Sequence, residues 1–188
     1  MKTKTQTLII DTASDLFYEK GYNLTGINEI IATAGIAKAT LYSHFKSKED
    51  LCIAYLETKD RELLEKIKDF CNQRPSGNHR LVAVLEFLIP FFKSDGFNGC
   101  WCIRTVAEIP RNNEKIKHQI KKGKAAFLEV IQVLVKENKS TLSKKQQLKL
   151  AKRIYLLYEG AVSESHLQGE AWPIHESIEI LKDQLELV

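Results

Sequence analysis

Residues that interrupt helices are scarce in this sequence. Its 188 residues include only 4 prolines and 9 glycines, so the composition gives little support to a sheet-rich or disordered chain. No apolar run approaches the roughly 18 residues that a membrane-spanning helix needs. A short apolar stretch follows the first lysines, but Asp11 and Asp15 interrupt it with helical spacing. We therefore expect a folded first helix rather than an export signal, and a cytoplasmic protein with no membrane partner.

The sequence also lacks an obvious reactive centre. No Ser/His/Asp set, paired carboxylates or glycine-rich phosphate loop stands out, so we predict that the chain is not an enzyme. Four cysteines are present, and in the cytoplasm they are expected to be reduced thiols. Cys100 and Cys102 are close enough to suggest a metal or redox site, but His118 is the only further ligand nearby. Buried structural thiols are favoured over a metal site, and no cofactor is predicted.

Basic and acidic residues are unevenly distributed. Residues 115–153 carry 12 basic and 2 acidic side chains, whereas residues 154–188 carry 1 basic and 7 acidic ones. The basic stretch has two interpretations, a solvated helix face or a second DNA-contacting surface, and the solvated face is favoured. Residues 35–48 carry three lysines and no acidic residue, which is a modest patch suited to phosphate groups.

Residues 25–51 contain two short helical patterns joined by a tight turn. The first has apolar residues at Ile27, Ile30, Ile31 and Ala34, and Gly35 follows where a left-handed backbone would end a helix. The second pattern carries Leu41 and Phe45 on one face, while its other face is mainly polar. Two short helices around such a turn are typical of a helix-turn-helix, whose second helix can enter the major groove of DNA.

Helical periodicity continues along the rest of the chain. The first helix, over residues 5–20, is predicted to bury Leu8, Ile9, Ala13, Leu16 and Phe17. A fourth helix follows over about 47–72, with Ser47 as its N-cap, and a fifth over 79–92 contains Pro90, which should kink it. The eighth helix begins after Ser143 and the ninth at Pro173. We predict an all-α protein of about nine helices.

The helix-turn-helix resembles the DNA-binding signature of TetR-type (tetracycline-repressor-like) transcriptional regulators. The resemblance covers residues 8–52 closely and the remainder only in size and helical layout. It rests on Ala13, Phe17, Gly21-Tyr22, Ile30, Ala34-Gly35-Ile36, Lys38, Thr40-Leu41-Tyr42, Phe45 and Ser47-Lys48-Glu49-Asp50-Leu51. It implies a DNA-binding domain over residues 1–48 and a helical ligand-binding and dimerisation domain over residues 49–188, connected by the fourth helix.

A set of residues around the second short helix is predicted to contact double-stranded DNA. Lys38 could donate to guanine, and the Ala39 methyl group could touch a thymine methyl. The resemblance places backbone-contacting residues at Thr25, Thr40, Tyr42 and Lys48. The whole predicted set is Thr25, Lys38, Ala39, Thr40, Tyr42, Ser43, His44 and Lys48. The sequence departs from the family pattern at Gly26, Ile31 and Ala37, which affects one phosphate contact, the packing of the two helices and the N-cap of the second.

The resemblance also implies a homodimer that forms through the eighth and ninth predicted helices and binds a near-palindromic operator. A small apolar or aromatic effector would bind in the second domain and release the DNA. The candidate ligand-binding residues are Phe70, Phe87, Phe91, Trp101, Arg104, Glu108, His118, Phe127, Tyr155 and Glu159. For each aromatic residue among them, a plain core position is favoured over ligand contact.

The sequence therefore predicts a homodimeric transcriptional regulator, most simply a repressor. One alternative within this class is a regulator that responds to oxidants or metal through Cys100 and Cys102. An alternative from another class is a helical interaction module or small-molecule enzyme that only shares the helix count. That alternative predicts no sequence-specific affinity for DNA and no effect of changing Tyr42 or Lys48.

Overall fold

The computed structural model describes residues 3–94 and 96–186, and all regular secondary structure in these ranges is helical. The all-α prediction is thereby confirmed. The helical segments are α1 (Lys4–Lys20), α2 (Ile27–Ala34), α3 (Lys38–His44), α4 (Lys48–Asn72), α5 (Asn78–Glu86), α6 (Leu88–Lys93), α7 (Trp101–Glu108), α8 (Glu114–Asn138), α9 (Lys144–Gln168) and α10 (Trp172–Glu186).

Helices α5 and α6 are the two parts of the fifth predicted helix, so nine predicted helices become ten segments. The break lies at Phe87, three residues before Pro90. Proline has no N–H to donate to the carbonyl four residues earlier, here that of Glu86, and its ring crowds that carbonyl. The kink predicted from Pro90 is therefore found one turn before the proline. The eighth and ninth predicted helices correspond to α9 and α10.

Local sequence signals account for the ends of several helices. The Ser47 hydroxyl accepts a hydrogen bond from the Asp50 backbone N–H at 3.0 Å, just before α4. Ser143 and Gln146 form a reciprocal capping box at the start of α9. Gly169 ends α9 with a left-handed φ of 67°. Since each signal spans only a few residues, sequence alone predicted both caps.

The chain divides into two compact units. The first unit comprises the residues up to Arg61 together with Trp101–Gly123, and the second comprises Glu62–Cys100 together with the residues from Lys124 onward. Both α4 and α8 contribute residues to each unit. These units are defined by packing. The functional division predicted from sequence, at residues 48 and 49, remains a proposal.

The first unit has a core to which α1, α2, α3, α4 and the start of α8 contribute side chains. Its most deeply buried side chains include Ile9, Ile30, Leu41, Leu56 and Ile116. The second unit has its own core, to which α5, α8, α9 and α10 contribute. Leu85, Ile131, Ile154, Ile174 and Leu181 are fully buried there. Each unit therefore has the apolar interior that a stable fold requires.

Candidate functional site

The turn between α2 and α3 has the geometry expected from the sequence. Gly35 adopts a left-handed conformation with φ 65° and ψ 32°. Its N–H donates to the Ala32 carbonyl at 3.2 Å, and the Ile36 N–H donates to the Ile31 carbonyl at 3.2 Å. These two bonds form a Schellman motif, which ends α2 and directs the chain into α3. The predicted C-cap role of Gly35 is confirmed.

Helix α3 has one buried and one exposed face. Leu41 within the helix and Phe45 just after it are buried, so they hold α3 against the rest of the first unit. The opposite face is solvent-accessible, with Tyr42 44% exposed. Lys38, Ala39 and Ser43 are exposed there, and Thr40 and His44 are partly exposed. Six of the eight predicted DNA-contacting side chains are therefore on one short helix and accessible to a ligand.

Lys48 lies just beyond α3, at the first turn of α4. Its ammonium is above the Tyr22 ring, 4.4 Å from the ring centre. Partial burial lowers the pKa of Lys48, and the cation–π contact holds the side chain at the surface of the first unit. The sequence does not predict this contact between Lys48 and Tyr22, because a cation–π pair between residues 26 positions apart leaves no periodic pattern.

Thr25 does not fit its predicted role. Its side chain is fully buried, and its hydroxyl lies within hydrogen-bonding distance of two carbonyls, that of Gly21 at 2.8 Å and that of Leu16 at 3.1 Å. A hydroxyl engaged in this way cannot reach a phosphate oxygen. Thr25 instead ties the link between α1 and α2 to the C-terminal end of α1.

The end of α1 is also attached to α2 and α7. Lys20 and Glu29 form an exposed ion pair at 2.5 Å, and hydrogen bonding to Lys20 lowers the pKa of Glu29. Glu108 accepts a hydrogen bond from the Asn23 N–H at 2.7 Å. The Arg104 guanidinium donates to the Tyr18 carbonyl at 2.5 Å. Helix α7 thus braces the helix-turn-helix within the first unit.

These contacts revise four of the predicted ligand-binding residues. Arg104 and Glu108 bind the backbone near the end of α1, and Trp101 donates its indole N–H to Asp60 at 3.1 Å. His118 is exposed on α8. All four residues lie in the first unit. The sequence suggested them because they are polar or aromatic, but it did not reveal their partners.

The other six predicted ligand-binding residues lie in the second unit, and five of them form two aromatic groups. Phe87 packs against Phe70 and Phe91, with ring centres 5.6 and 6.4 Å apart. Phe127 contacts Tyr155, with ring centres 5.9 Å apart. Glu159 forms an ion pair with Lys124, whose ammonium is 2.6 Å from both carboxylate oxygens. The structure therefore brings apolar and ionic groups of this set into one compact unit.

An open groove of about 450 Å³ lies between α4 and α8 in the second unit. Its lining combines an apolar floor with polar edges and consists of Leu64, Lys68, Asn72, Ala126, Glu129, Val130, Val133, Leu134 and Glu137. The volume is within the range of small-molecule sites. None of the predicted ligand-binding residues lines this groove. The apolar residues of α8 that line the groove lie on the same helical stripe as residues of the core. The sequence therefore does not distinguish groove residues from core residues.

The four thiols differ in their surroundings. Burial raises the pKa of both the Cys52 and the Cys71 thiols to about 12. Cys102 is buried with its sulfur 3.8 Å from Asp60 Oδ1, whereas Cys100 is partly exposed. Within residues 3–94 and 96–186, no group of three His, Cys, Asp or Glu side chains could hold a metal ion. Over the same residues, no helix is long and apolar enough to cross a membrane.

Comparison with known proteins identifies the helix-turn-helix. The sequence pattern of the family described as "Bacterial regulatory proteins, tetR family" matches residues 9–55, which include α2, α3 and the turn between them. Over these residues the chain is similar to bacterial regulatory proteins of the tetR family. That family is described as regulatory proteins, and the similar curated proteins include a regulator and a transcriptional repressor, which agrees with the prediction that the chain is not an enzyme.

Individual relatives extend the similarity beyond the helix-turn-helix. The chain is 22% identical to the transcriptional repressor NemR of Escherichia coli over 185 residues, which cover 95% of this chain and 92% of that protein. It is 24% identical to the fatty acid metabolism regulator protein of Bacillus subtilis over 129 residues. That match covers 69% of this chain and 65% of the relative, so the chain spans just under two thirds of that relative's length.

A solved structure shows that the fold is shared over nearly the whole chain. The TetR-family transcriptional regulator SCO4454 from Streptomyces coelicolor superposes with a TM-score of 0.86 at 24% identity. The match covers 99% of this chain and 90% of that one. The predicted architecture, an N-terminal helix-turn-helix followed by a helical C-terminal region, is confirmed by this likeness.

Proposed function

We propose that this protein is a sequence-specific, homodimeric DNA-binding repressor of the TetR type that a small apolar or aromatic effector releases from a near-palindromic operator. The observation that supports this most is the outer face of α3. There Lys38, Ala39, Tyr42 and Ser43 are exposed together, while Leu41 fixes the helix from the opposite side. A short helix presented in this way fits the major groove.

The side chains on this face suit two kinds of contact. Lys38 is proposed to donate to a guanine edge, and the Ala39 methyl group to pack on a thymine methyl. Thr40, Tyr42 and Lys48 are suited to phosphate oxygens, which position the protein without specifying sequence. Ser43 and His44 lie at the end of the same face. Thr25 is not included, because its hydroxyl is buried and hydrogen-bonded within the first unit.

The homodimer is proposed to form through α9 and α10. Leu156 and Leu167 on α9 are 66% and 77% exposed, and Trp172 and Ile180 on α10 are also exposed. Large apolar side chains gathered on two adjacent helices are a common mark of an interface. A two-fold dimer presents two recognition helices to DNA, so the operator should be nearly palindromic.

The effector is proposed to bind in the second unit. Phe70, Phe87, Phe91, Phe127 and Tyr155 supply apolar surface there, and Glu159 supplies charge. The open groove beside Val130 and Leu134 offers a second place for a small molecule. An effector can release DNA only if it binds more tightly to a dimer whose recognition helices are wrongly spaced for the operator.

Replacing Lys38 by alanine is expected to weaken operator binding by about tenfold or more, because a side chain that reads a base edge contributes about 1–3 kcal/mol. Fluorescence anisotropy on DNA from upstream of the coding region, against scrambled DNA at several salt concentrations, measures this. Lys66→Ala is the matched control, since Lys66 is an exposed lysine on α4. This control removes one positive charge at a position outside α3.

Tight binding to the native fragment alone, weakened by salt and by Lys38→Ala but not by Lys66→Ala, would support the proposal. Equal, weak binding to both DNA molecules, followed by no enrichment in a selection from random DNA, would refute it. If the selection does enrich a sequence, the operator lies elsewhere and the Lys38→Ala comparison is repeated on that sequence.

A second candidate function is release of DNA by oxidation of Cys100. This thiol is partly exposed, and the Lys124 ammonium lies 3.2 Å from its sulfur. A neighbouring cation stabilises the thiolate, the form that oxidants attack. If this candidate is correct, peroxide releases DNA from the unmodified protein but not from a Cys100→Ser/Cys102→Ser variant. Cys71→Ser is the control and should still respond, because burial raises the pKa of Cys71 to about 12.

A further inference from the structure

The outer face of α9 carries a continuous seam with heptad spacing. The seam residues follow one another at alternating steps of four and three positions, which places them along one side of the helix. They are Lys149, Arg153, Leu156, Gly160, Ser163 and Leu167. The opposite side of α9, which includes Ile154 and Tyr158, is buried in the core of the second unit. Nothing among the described residues covers the two exposed leucines of the seam.

The packing of the second unit does not explain why residue 160 of this seam is a glycine. It lies in the interior of a 25-residue helix, where glycine destabilises the helix relative to alanine. A Cβ atom built on Gly160 would meet no heavy atom within 4 Å. Glycine in such a position lets another backbone approach the helix closely. The open space above Gly160 is therefore suited to a second helix.

We infer that α9 crosses α9 of a second copy of this chain at Gly160, with the two helices antiparallel. This inference rests on the proposed homodimer. It adds the position of the two-fold axis and the point at which the two α9 helices are closest. In a two-fold interface, a residue on the axis meets its own counterpart. Gly160 is well suited to that position, because two glycines leave no side chain between the helices. Leu156 would then pack beside residues 163 and 164 of the other copy.

The charges of α9 support the antiparallel arrangement. Lys149 and Arg153 precede Gly160, whereas Glu164 follows it within the same helix. When two copies run antiparallel about Gly160, Arg153 lies about one helical turn from Glu164 of the other copy. When they run parallel, Lys149 and Arg153 face their own counterparts and repel them. Opposite charges across such a seam set partner choice and orientation.

The crossing point is tested by enlarging residue 160. Gly160→Ala is expected to raise the dissociation constant of the dimer roughly tenfold, and Gly160→Leu more, because each side chain separates the two backbones. Sedimentation equilibrium measures the constant. Lys66→Leu is the control, since Lys66 is an exposed residue of α4 and not of α9. An unchanged constant in both Gly160 variants would overturn the inference.

The direction of the helices is tested by oxidative cross-linking in a Cys100→Ser background. Leu156→Cys and Glu164→Cys together should give a covalent dimer, since each lies one turn from the crossing on opposite sides. Neither single variant should cross-link. Cross-linking by the Leu156→Cys variant alone would show parallel helices and contradict the inference. A protein that stays monomeric before any substitution would instead refute the homodimer itself.

Discussion

Replacing Gly21 by alanine is expected to lower the free energy of unfolding by about 3 kcal/mol. Gly21 follows α1 with φ 90° and ψ 166°, a backbone region open almost only to glycine. The added methyl carbon would also lie 2.3 Å from Glu108 Oε1. That carboxylate accepts the Asn23 N–H at 2.7 Å, so it cannot move away without breaking a hydrogen bond. Urea denaturation at a fixed protein concentration measures the loss.

Two further variants separate the causes of this loss. Gly35 also has a positive φ, 65°, but nothing lies within 4 Å of its added Cβ. Gly35→Ala should therefore show backbone strain alone, about 1 kcal/mol. Gly21→Ala made in a Glu108→Ala background should lose less stability than in the unmodified chain. A loss for Gly21→Ala no larger than that for Gly35→Ala would contradict the clash with Glu108.

Gly123→Ala is expected to destabilise the protein by about 2 kcal/mol, although alanine is the better helix former by about 1 kcal/mol. Gly123 lies within α8, and an added Cβ would be 1.9 Å from Asp60 Oδ2. Asp60 Oδ1 accepts the Trp101 indole N–H at 3.1 Å, so displacing the carboxylate weakens that bond. Thermal and urea unfolding of the variant measure the change.

The matched control for this substitution is Ala125→Gly, two residues along the same helix. Ala125 is exposed, so its change to glycine should cost only the difference in helix propensity, about 1 kcal/mol. Removing the obstacle with Asp60→Ala should make Gly123→Ala neutral or stabilising. Increased stability of Gly123→Ala in the unmodified chain would contradict the prediction, because it would show that the Asp60 carboxylate moves aside without loss of stability.

The parts of the fold that sequence predicted well are those fixed by neighbours in the chain. Ser47 with Asp50, Ser143 with Gln146, and Gly35 each act over three to five residues. Periodicity was less exact for α1, where Leu8 was predicted to be buried but is 46% exposed. Ile10, absent from that prediction, is buried instead. The helices that pack on α1 decide which edge of its stripe is covered, and periodicity alone does not contain that information.

In the candidate site too, the sequence predicted the features that are fixed by neighbours in the chain and not those that are fixed by distant residues. The outward face of α3 followed from helical spacing, because Leu41 and Phe45 marked the inner side. The role of Thr25 did not, since its carbonyl partners are fixed by the path of the backbone after α1. Arg104 and Glu108 bind groups about 85 positions away in sequence. No local pattern reports such partners, so polar residues of α7 were indistinguishable from ligand-binding ones.

The bracing of the helix-turn-helix by α7 has a consequence for how the chain is made. Asn23 and Glu108 are joined across 85 positions, so this contact closes a long loop of the chain. The ribosome delivers α1 to α3 long before the segment that completes their unit. Contacts of this kind form late in folding. We therefore expect that a growing chain carries an incompletely supported α3 until residue 123 has emerged.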